Sequence, residues 1–339
     1  MIEKDNNKQP FFSIIMPCYN SEKYLDYAIK SVILQTFTDW ELIAINDGST
    51  DRTEEMLRAY SGKDDRIKVF SKQNGGYCSA VNAGLNSISG KYFLFMGSDD
   101  ALSENLLGGI FAEAEKRYPD LIGFRSVKVI DGVPEGLDGF TKFDSFVYEI
   151  DTSIKDFESA HGGHARIFFV RDTSKCYKTE LLGDLRYFGK YGFDADGIFS
   201  MLFAHKCRSF MSLPIDGYLW TLRSDSLSGR TVTAEVYEDR LDNWKRFYSV
   251  IKTLAASEIS KTEKNYVDYY WVATRRYAKI VFENKMAGKK RFLRKHTRFM
   301  FFTMRRYGIT VGKTALEKIK NYIYLIFPII NKKIYKSVE

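Results

Sequence analysis

The chain has 339 residues, 45% of them hydrophobic and 28% charged, with a formal net charge of +8. That length can bury a large core, as one big domain with an appendage or as two smaller ones, and the apolar fraction excludes wholesale disorder. The four cysteines, Cys18, Cys78, Cys176 and Cys207, form no CxxC pair, which argues against a disulfide framework or a zinc cluster and fits reduced cytoplasmic thiols.

The first ten residues, MIEKDNNKQP, are polar, lack the apolar core of a signal peptide and are expected to be disordered. Residues 11–16 predict a strand stopped by Pro17. Ser21 is placed to cap the following helix, which carries Tyr24, Leu25, Ala28, Ile29, Val32 and Ile33 on one face. A second strand at 42–45 ends in Asn46-Asp47-Gly48-Ser49, and Asp51 and Glu54 have capping-box spacing ahead of Met56 and Leu57. A third strand at 67–70 leads through Gln73-Asn74-Gly75-Gly76 into a helix with Val81, Leu85 and Ile88 on one side. Residues 92–96 then form an apolar run that ends in two adjacent carboxylates, Asp99 and Asp100. A buried strand cannot carry charge, so both acids belong just past its end.

Four strands alternating with helices imply right-handed crossovers and a mainly parallel sheet flanked by helices. The polar clusters after each strand, Tyr19 and Asn20, Asp47, Lys72 and Asn74, Asp99 and Asp100, then converge on one sheet edge, where nucleotides bind in such folds. Further on, the pattern predicts a helix from Ser103 to about residue 118, strands at 121–124 and 126–130, and a glycine-rich loop at 131–143. A strand-like run at 167–170, a helix at 197–204, an aromatic strand at 218–222 and a mostly helical region from about residue 234 complete it. The expected organisation is a disordered 1–10, a catalytic domain at 11–232 divided into halves 11–130 and 131–232, and a helical extension at 233–339.

The ordered set Pro17-Cys18-Tyr19-Asn20, Asn46-Asp47-Gly48-Ser49-Thr50-Asp51, Asn74-Gly75-Gly76 and Ser98-Asp99-Asp100 resembles the motifs of inverting family-two glycosyltransferases of the GT-A fold. The resemblance covers about the first two-thirds of the chain. It implies a bound nucleotide-diphosphate sugar, with uridine as the favoured base, near Pro17, Tyr19, Asn20, Asp47, Lys72 and Asp99. It also implies Asp100, with Asp99, as ligands of a divalent cation. Two oxygen donors without histidine or cysteine suit Mg²⁺ or Mn²⁺ completed by phosphates and water. Many relatives carry a further aspartate where Gly97 stands and an arginine where Val81 stands.

Inversion by single displacement needs a carboxylate to take the acceptor hydroxyl's proton. Asp194-Ala195-Asp196 precedes an apolar helix, as the family's acidic pair does. The register implies Asp196 as the base, with Asp194 nearby. Lys175-Cys176-Tyr177-Lys178 resembles the segment ahead of that pair, and residues 222–226 resemble the family's flexible loop, in which Arg223 would clamp diphosphate. Each position has a plainer reading: a helix N-terminus for Asp99 and Asp100, a turn former for Asp47, packing for Tyr19, a solvated cation for Lys72 and Arg223, and a helix cap for Asp196. His161 and His164 invite zinc, but no further ligand is identifiable.

Residues 285–306 set Phe292, Leu293, Phe299, Met300 and Met304 among many lysines and arginines. Such a helix either lies on an anionic membrane or packs its apolar stripe on the protein, and no RNA-binding module accompanies the charge. The apolar run at 322–330 is too short to span a bilayer and contains Pro328, so the protein is expected on the cytoplasmic side. The reading is a metal-dependent glycosyltransferase. It would transfer from a UDP-sugar to a hydroxyl on a saccharide or lipid-linked saccharide, one sugar per encounter, with no nucleic-acid partner. The alternatives are a nucleotidyltransferase, for which no basic glycine-rich loop follows the first strand, and a catalytically silent sugar-nucleotide binder or membrane-docked scaffold.

Overall fold

The computed structural model describes residues 9–130, 133–137, 147–161, 168, 171–192, 194–222, 233–251, 289, 291–293, 295–296, 298–299 and 302. The chain divides into two compact units, one of residues 1–192 and 199–230 and one of residues 193–198 and 231–339.

In the first unit, β1 (Phe12–Cys18), α1 (Leu25–Ile33), β2 (Trp40–Asn46), α2 (Thr53–Ser61), β3 (Ile67–Ser71), α3 (Tyr77–Leu85) and β4 (Tyr92–Phe95) alternate as the hydrophobic pattern requires. The strands pair in parallel in the order β3-β2-β1-β4, with Phe12 opposite both Trp40 and Tyr92. Both faces of β1, β2 and β4 are covered, which is why their sequences are continuous apolar runs. Alternation along the strands divides the core. Leu42, Ala44, Tyr92 and Leu94 pack with Leu25, Ile29 and Val32 of α1 on one face. Ile43 and Ile45 pack with Ala80 of α3 on the other. Gly84 allows α3 that close approach, since a Cβ there would lie 2.4 Å from Ile15 Cγ2. Phe93 and Phe95 join Tyr177, Tyr187 and Phe199 in an aromatic cluster.

Past β4 the sheet becomes mixed. It continues with β5 (Ala101–Leu102), α4 (Leu106–Arg117), β6 (Leu121–Ile130), β7 (Val133–Leu137), β8 (Val147–Glu149), α5 (Ile154–His161) and β9 (Lys175–Lys178). Then come α6 (Ala195–Ala204) and β10 (Phe210–Leu222), and α7 (Ala234–Ile251) lies in the second unit. β9 inserts antiparallel between β4 and β6, and β10 runs parallel to β6.

Several local expectations are corrected. The two strands expected at 121–130 are one, because Arg125 keeps its place in the ladder and pairs with Asp216 at 2.6 Å. The loop expected at 131–143 contains β7, whose Pro134 and Gly136 hide a strand on the free side of β6. β10 begins at Phe210, eight positions ahead of the expected strand, because a bulge between Leu213 and Tyr218 breaks the alternation. Ser21 does not cap α1: its hydroxyl lies 2.7 Å from that of Ser98, and α1 starts at Leu25. Nor is the capping box formed. Asp51 accepts instead from the N–H groups of Thr53 and Glu22, and Glu54 from Asn46, Ser71 and Arg58. The expected strand at 167–170 is described only at Phe168, and His164, Arg223 and most of 285–306 lie outside the described residues.

Candidate active site

The strand order reverses between β1 and β4: the chain leaves β1 for β2 on one side and returns to pair β4 on the other. The crevice of an open α/β sheet lies at the carboxyl ends of such a pair. The Ser21–Ser98 contact ties the loops after these strands together at that point.

Asp47 begins the loop after β2 and is 3% exposed. Its Oδ1 accepts from the Gly75 N–H at 3.0 Å and from Lys72 Nζ at 2.6 Å, and its Oδ2 accepts from the Gly76 N–H at 2.8 Å. The carboxylate thus builds the glycine loop and neutralises its charge on Lys72, which also donates to the Gln73 carbonyl. Gly48 and Gly76 have φ of +70° and +85°, a backbone open to glycine, and a Cβ on either would strike backbone atoms of Asn74 or Lys190. A carboxylate has about four acceptor directions, so a site remains for an imide N–H.

Asn20 takes a left-handed turn with φ of +49°; its N–H donates to Ser49 Oγ and its Oδ1 accepts from the Thr50 N–H. That turn presents the Tyr19 ring 49% exposed, an accessible flat surface beside Pro17. Cys18, buried just before it, has its thiol pushed far up by burial and then by the charge of Asp99, so it forms an inert floor.

Asp99 and Asp100 follow β4. Asp100 is 6% exposed; Tyr218 of β10 donates to its Oδ2 at 2.5 Å and the Thr221 N–H to its Oδ1 at 2.8 Å. A Cβ on Gly97 would lie 2.5 Å from Asp100 Oδ2 and 2.8 Å from Asp99 Oδ1. Both carboxylates therefore close over the bare Cα of Gly97, in space that any other residue would fill. Two like charges converging there suit a divalent cation. Among the described residues no group of three or more His, Cys, Asp or Glu gathers that could hold a metal ion by itself. Tyr218 and Thr221 escape sequence reasoning, since nothing in a Tyr-Leu-Trp-Thr-Leu strand marks it as a partner of the Asp-Asp turn.

The second unit holds Asp194 and Asp196. Asp194 sits in left-handed backbone, φ +61°, just ahead of α6. Its carboxylate accepts two bonds from Arg240 and one from Trp244 Nε1, all from α7. It is committed to that helix, and Asp196 lies half-buried in the first turn of α6. His161, the other half of the suspected zinc pair, ends α5 with Nε2 2.7 Å from Glu149 Oε1.

A doubly wound sheet with a crevice at its switch point is the architecture on which many nucleotide-binding α/β proteins are built. Residues 13–175 match the model described as glycosyl transferase family 2. It is 39% identical over 114 residues to the uncharacterized glycosyltransferase EpsJ of Bacillus subtilis, a match covering 34% of this chain and 33% of that protein. To glycosyltransferase GlyA of Streptococcus pneumoniae it is 29% identical over 220 residues, 64% of this chain and 31% of the other. The chain thus spans about a third of the length of these relatives. The crystal structure of S. aureus TarS 1-349 in complex with UDP-GlcNAc superposes with a TM-score of 0.62 at 20% identity, covering 93% of this chain and 90% of that one. The fold is accordingly the GT-A fold that the motifs imply.

Proposed function

We propose that the chain is an inverting glycosyltransferase that moves a sugar from a UDP-linked donor to an acceptor hydroxyl with the help of Mn²⁺ or Mg²⁺. The observation that carries this reading is the closure of Asp99 and Asp100 over Gly97 at the switch point of the sheet. The UDP-GlcNAc in the TarS complex supports uridine as the base.

Tyr19 offers its ring to the base and Asp47 accepts from the base imide, while Asn20 and the glycine loop shape the pocket. Asp99 and Asp100 hold the cation, which when bound neutralises the diphosphate of the donor. Arg223 is assigned to the diphosphate from the resemblance. Asp196 takes the proton of the acceptor hydroxyl as that oxygen bonds to the anomeric carbon, and the bond from that carbon to the phosphate oxygen breaks to release UDP on the opposite face. The place of Asp194-Ala195-Asp196 ahead of an apolar helix supports giving the proton to Asp196.

The acceptor is proposed to be a saccharide or lipid-linked saccharide of a bacterial surface glycan, met at the inner face of the cytoplasmic membrane. Within 285–306, Leu293 and His296 are buried and so pack on protein, leaving Arg291, Lys295, Arg298 and the 65% exposed Phe302 for the membrane. Among the described residues no helix is long and apolar enough to cross a bilayer.

Calorimetry of UDP, with and without Mn²⁺, tests the donor half. Binding that needs both Mn²⁺ and Asp100 is expected. Equal UDP affinity for wild type and Asp100→Ala in Mn²⁺ would remove the metal site, and failure to bind any nucleoside diphosphate would remove the donor site.

A further inference from the structure

Asp100 reaches its place only with help from a strand more than a hundred residues away. Its carboxylate is almost wholly removed from water beside a second acid, and burying a charge is costly unless hydrogen bonds replace the lost hydration. Two of those bonds come from β10. The Tyr218 hydroxyl, 1% exposed, donates to Oδ2 at 2.5 Å and accepts from the Gly97 N–H at 3.0 Å. It therefore clasps both ends of the Gly97–Asp100 turn, whose own backbone closure is the Asp100 N–H to the Gly97 carbonyl at 3.2 Å. The Thr221 N–H takes the other oxygen at 2.8 Å. Oδ2, the oxygen bonded by Tyr218, is also the one that stands over Gly97 facing Asp99 Oδ1.

We infer that Tyr218 is a positioning residue for the divalent-cation site, fixing the Asp100 carboxylate in the rotamer that a metal–diphosphate complex requires. The inference rests on the donor-site reading above and deepens it. The Tyr218 hydroxyl, with an acceptor direction taken by the Gly97 N–H, turns its proton toward the carboxylate. A neutral donor leaves Asp100 its negative charge and uses one acceptor direction of Oδ2, keeping others for an ion. A lysine or arginine at the same place would neutralise the acid and compete with the metal. The position thus calls for a donor that is rigid, buried and uncharged.

The test is Tyr218→Phe, which keeps the buried ring and deletes the hydroxyl, read by UDP calorimetry with and without MnCl₂ in the wild-type and Asp100→Asn backgrounds. In Tyr218→Phe the Mn²⁺-dependent gain in UDP affinity is expected to fall about tenfold, the scale of one lost hydrogen bond to a charged group, while metal-free UDP affinity stays unchanged. In Asp100→Asn the same substitution should have no further effect, because its route runs through that carboxylate. A folded Tyr218→Phe that keeps the full Mn²⁺ gain, or an equal loss in both backgrounds, overturns the inference while leaving the donor site standing. Wild-type UDP binding indifferent to Mn²⁺ overturns the metal reading and this inference with it. As a readout that needs no deletion, 3-fluorotyrosine placed at Tyr218 alone should shift its ¹⁹F resonance when Mg²⁺ is added with UDP present, and an unmoved resonance counts against the assignment.

Discussion

Arg240 grips Asp194 at both oxygens, Nε to Oδ2 at 2.8 Å and Nη2 to Oδ1 at 2.9 Å, and Trp244 Nε1 adds a third bond to Oδ2 at 2.8 Å. The fork geometry is one that lysine cannot reproduce. It anchors a residue whose left-handed backbone costs about 1 kcal/mol on its own, and it does so immediately before the helix that carries Asp196. Helix α7 thereby fixes the start of α6.

The two acids should separate in kinetics. Asp196→Asn is expected to lower kcat by about a thousandfold or more with UDP affinity unchanged, as loss of a general base does. Arg240→Lys should instead lower stability by about 1–2 kcal/mol, since both partners are mostly but not wholly buried, and reduce kcat by about tenfold. Single-turnover rates and urea midpoints on the two variants check this. A larger kcat loss in Asp194→Asn than in Asp196→Asn would reverse the assignment.

Asp47 is expected to matter to nucleotide binding through the loop it holds. Asp47→Asn places an amide NH₂ against a donor, either Lys72 or a glycine N–H, so at least one of three bonds is lost. UDP affinity should fall about tenfold or more, with or without metal, which sets it apart from Asp100 variants. Lys72→Met leaves both backbone N–H bonds in place and should cost less than half as much in free energy. Calorimetry of UDP on the pair decides it.

Gly97→Ala tests the space above the glycine directly. The added methyl would meet Asp100 Oδ2 and Asp99 Oδ1 well inside contact distance, so one carboxylate must turn away. Asp100 is held by Tyr218 and Thr221, so a turn of its carboxylate would break those bonds. The Mn²⁺ requirement for UDP binding should weaken by about tenfold or more with little change in metal-free UDP binding, as expected when one of few protein ligands is lost. Retention of the wild-type Mn²⁺ response would show that the convergence of the two acids has no part in metal binding.

What the sequence shows and what it hides divide along a physical line. Strands β1 to β4 are legible because each is a short apolar run closed by residues that turn the chain, and those same residues are the site loops: Asp47 and Gly48, Gly75 and Gly76, Asp99 and Asp100. Tyr218, Thr221, Arg240 and Trp244 are illegible because their roles are long-range pairings, Tyr218 to Asp100 across 118 positions and Arg240 to Asp194 across 46. An aromatic residue in a strand or an arginine in a helix carries no local mark of what it meets. β7 and the first half of β10 are hidden differently, by Pro134, Gly136, Pro214 and Asp216, residues that elsewhere end strands but here sit on a free ladder side or in a bulge.

Far from the donor site, Glu41 offers a test of the fold itself. It is 2% exposed in the middle of the parallel sheet, where Oε1 accepts from Ser13 Oγ at 2.5 Å and from the N–H and hydroxyl of Ser89 at 2.8 Å, and Oε2 accepts from Lys68 Nζ at 2.5 Å. Burial alone would push this acid up, but the bonds from Lys68, Ser13 and Ser89 outweigh it and hold the carboxyl below its ordinary 4.5. A group whose folded value is depressed contributes stability that is complete above the unfolded value and is lost as pH falls through the folded one. The contribution of Glu41 to wild-type stability should therefore be constant above about pH 5 and fall below it. Glu41→Gln keeps the shape but must point an amide NH₂ at a donor, and it is expected to cost about 2–3 kcal/mol at pH 7. Because the variant has nothing to protonate, the cost should shrink as pH falls from the unfolded value through the folded one. Urea midpoints from pH 7 to pH 3.5 on both proteins measure the difference, and a cost that stays constant across that range would mean that the charge of Glu41 contributes nothing to folding.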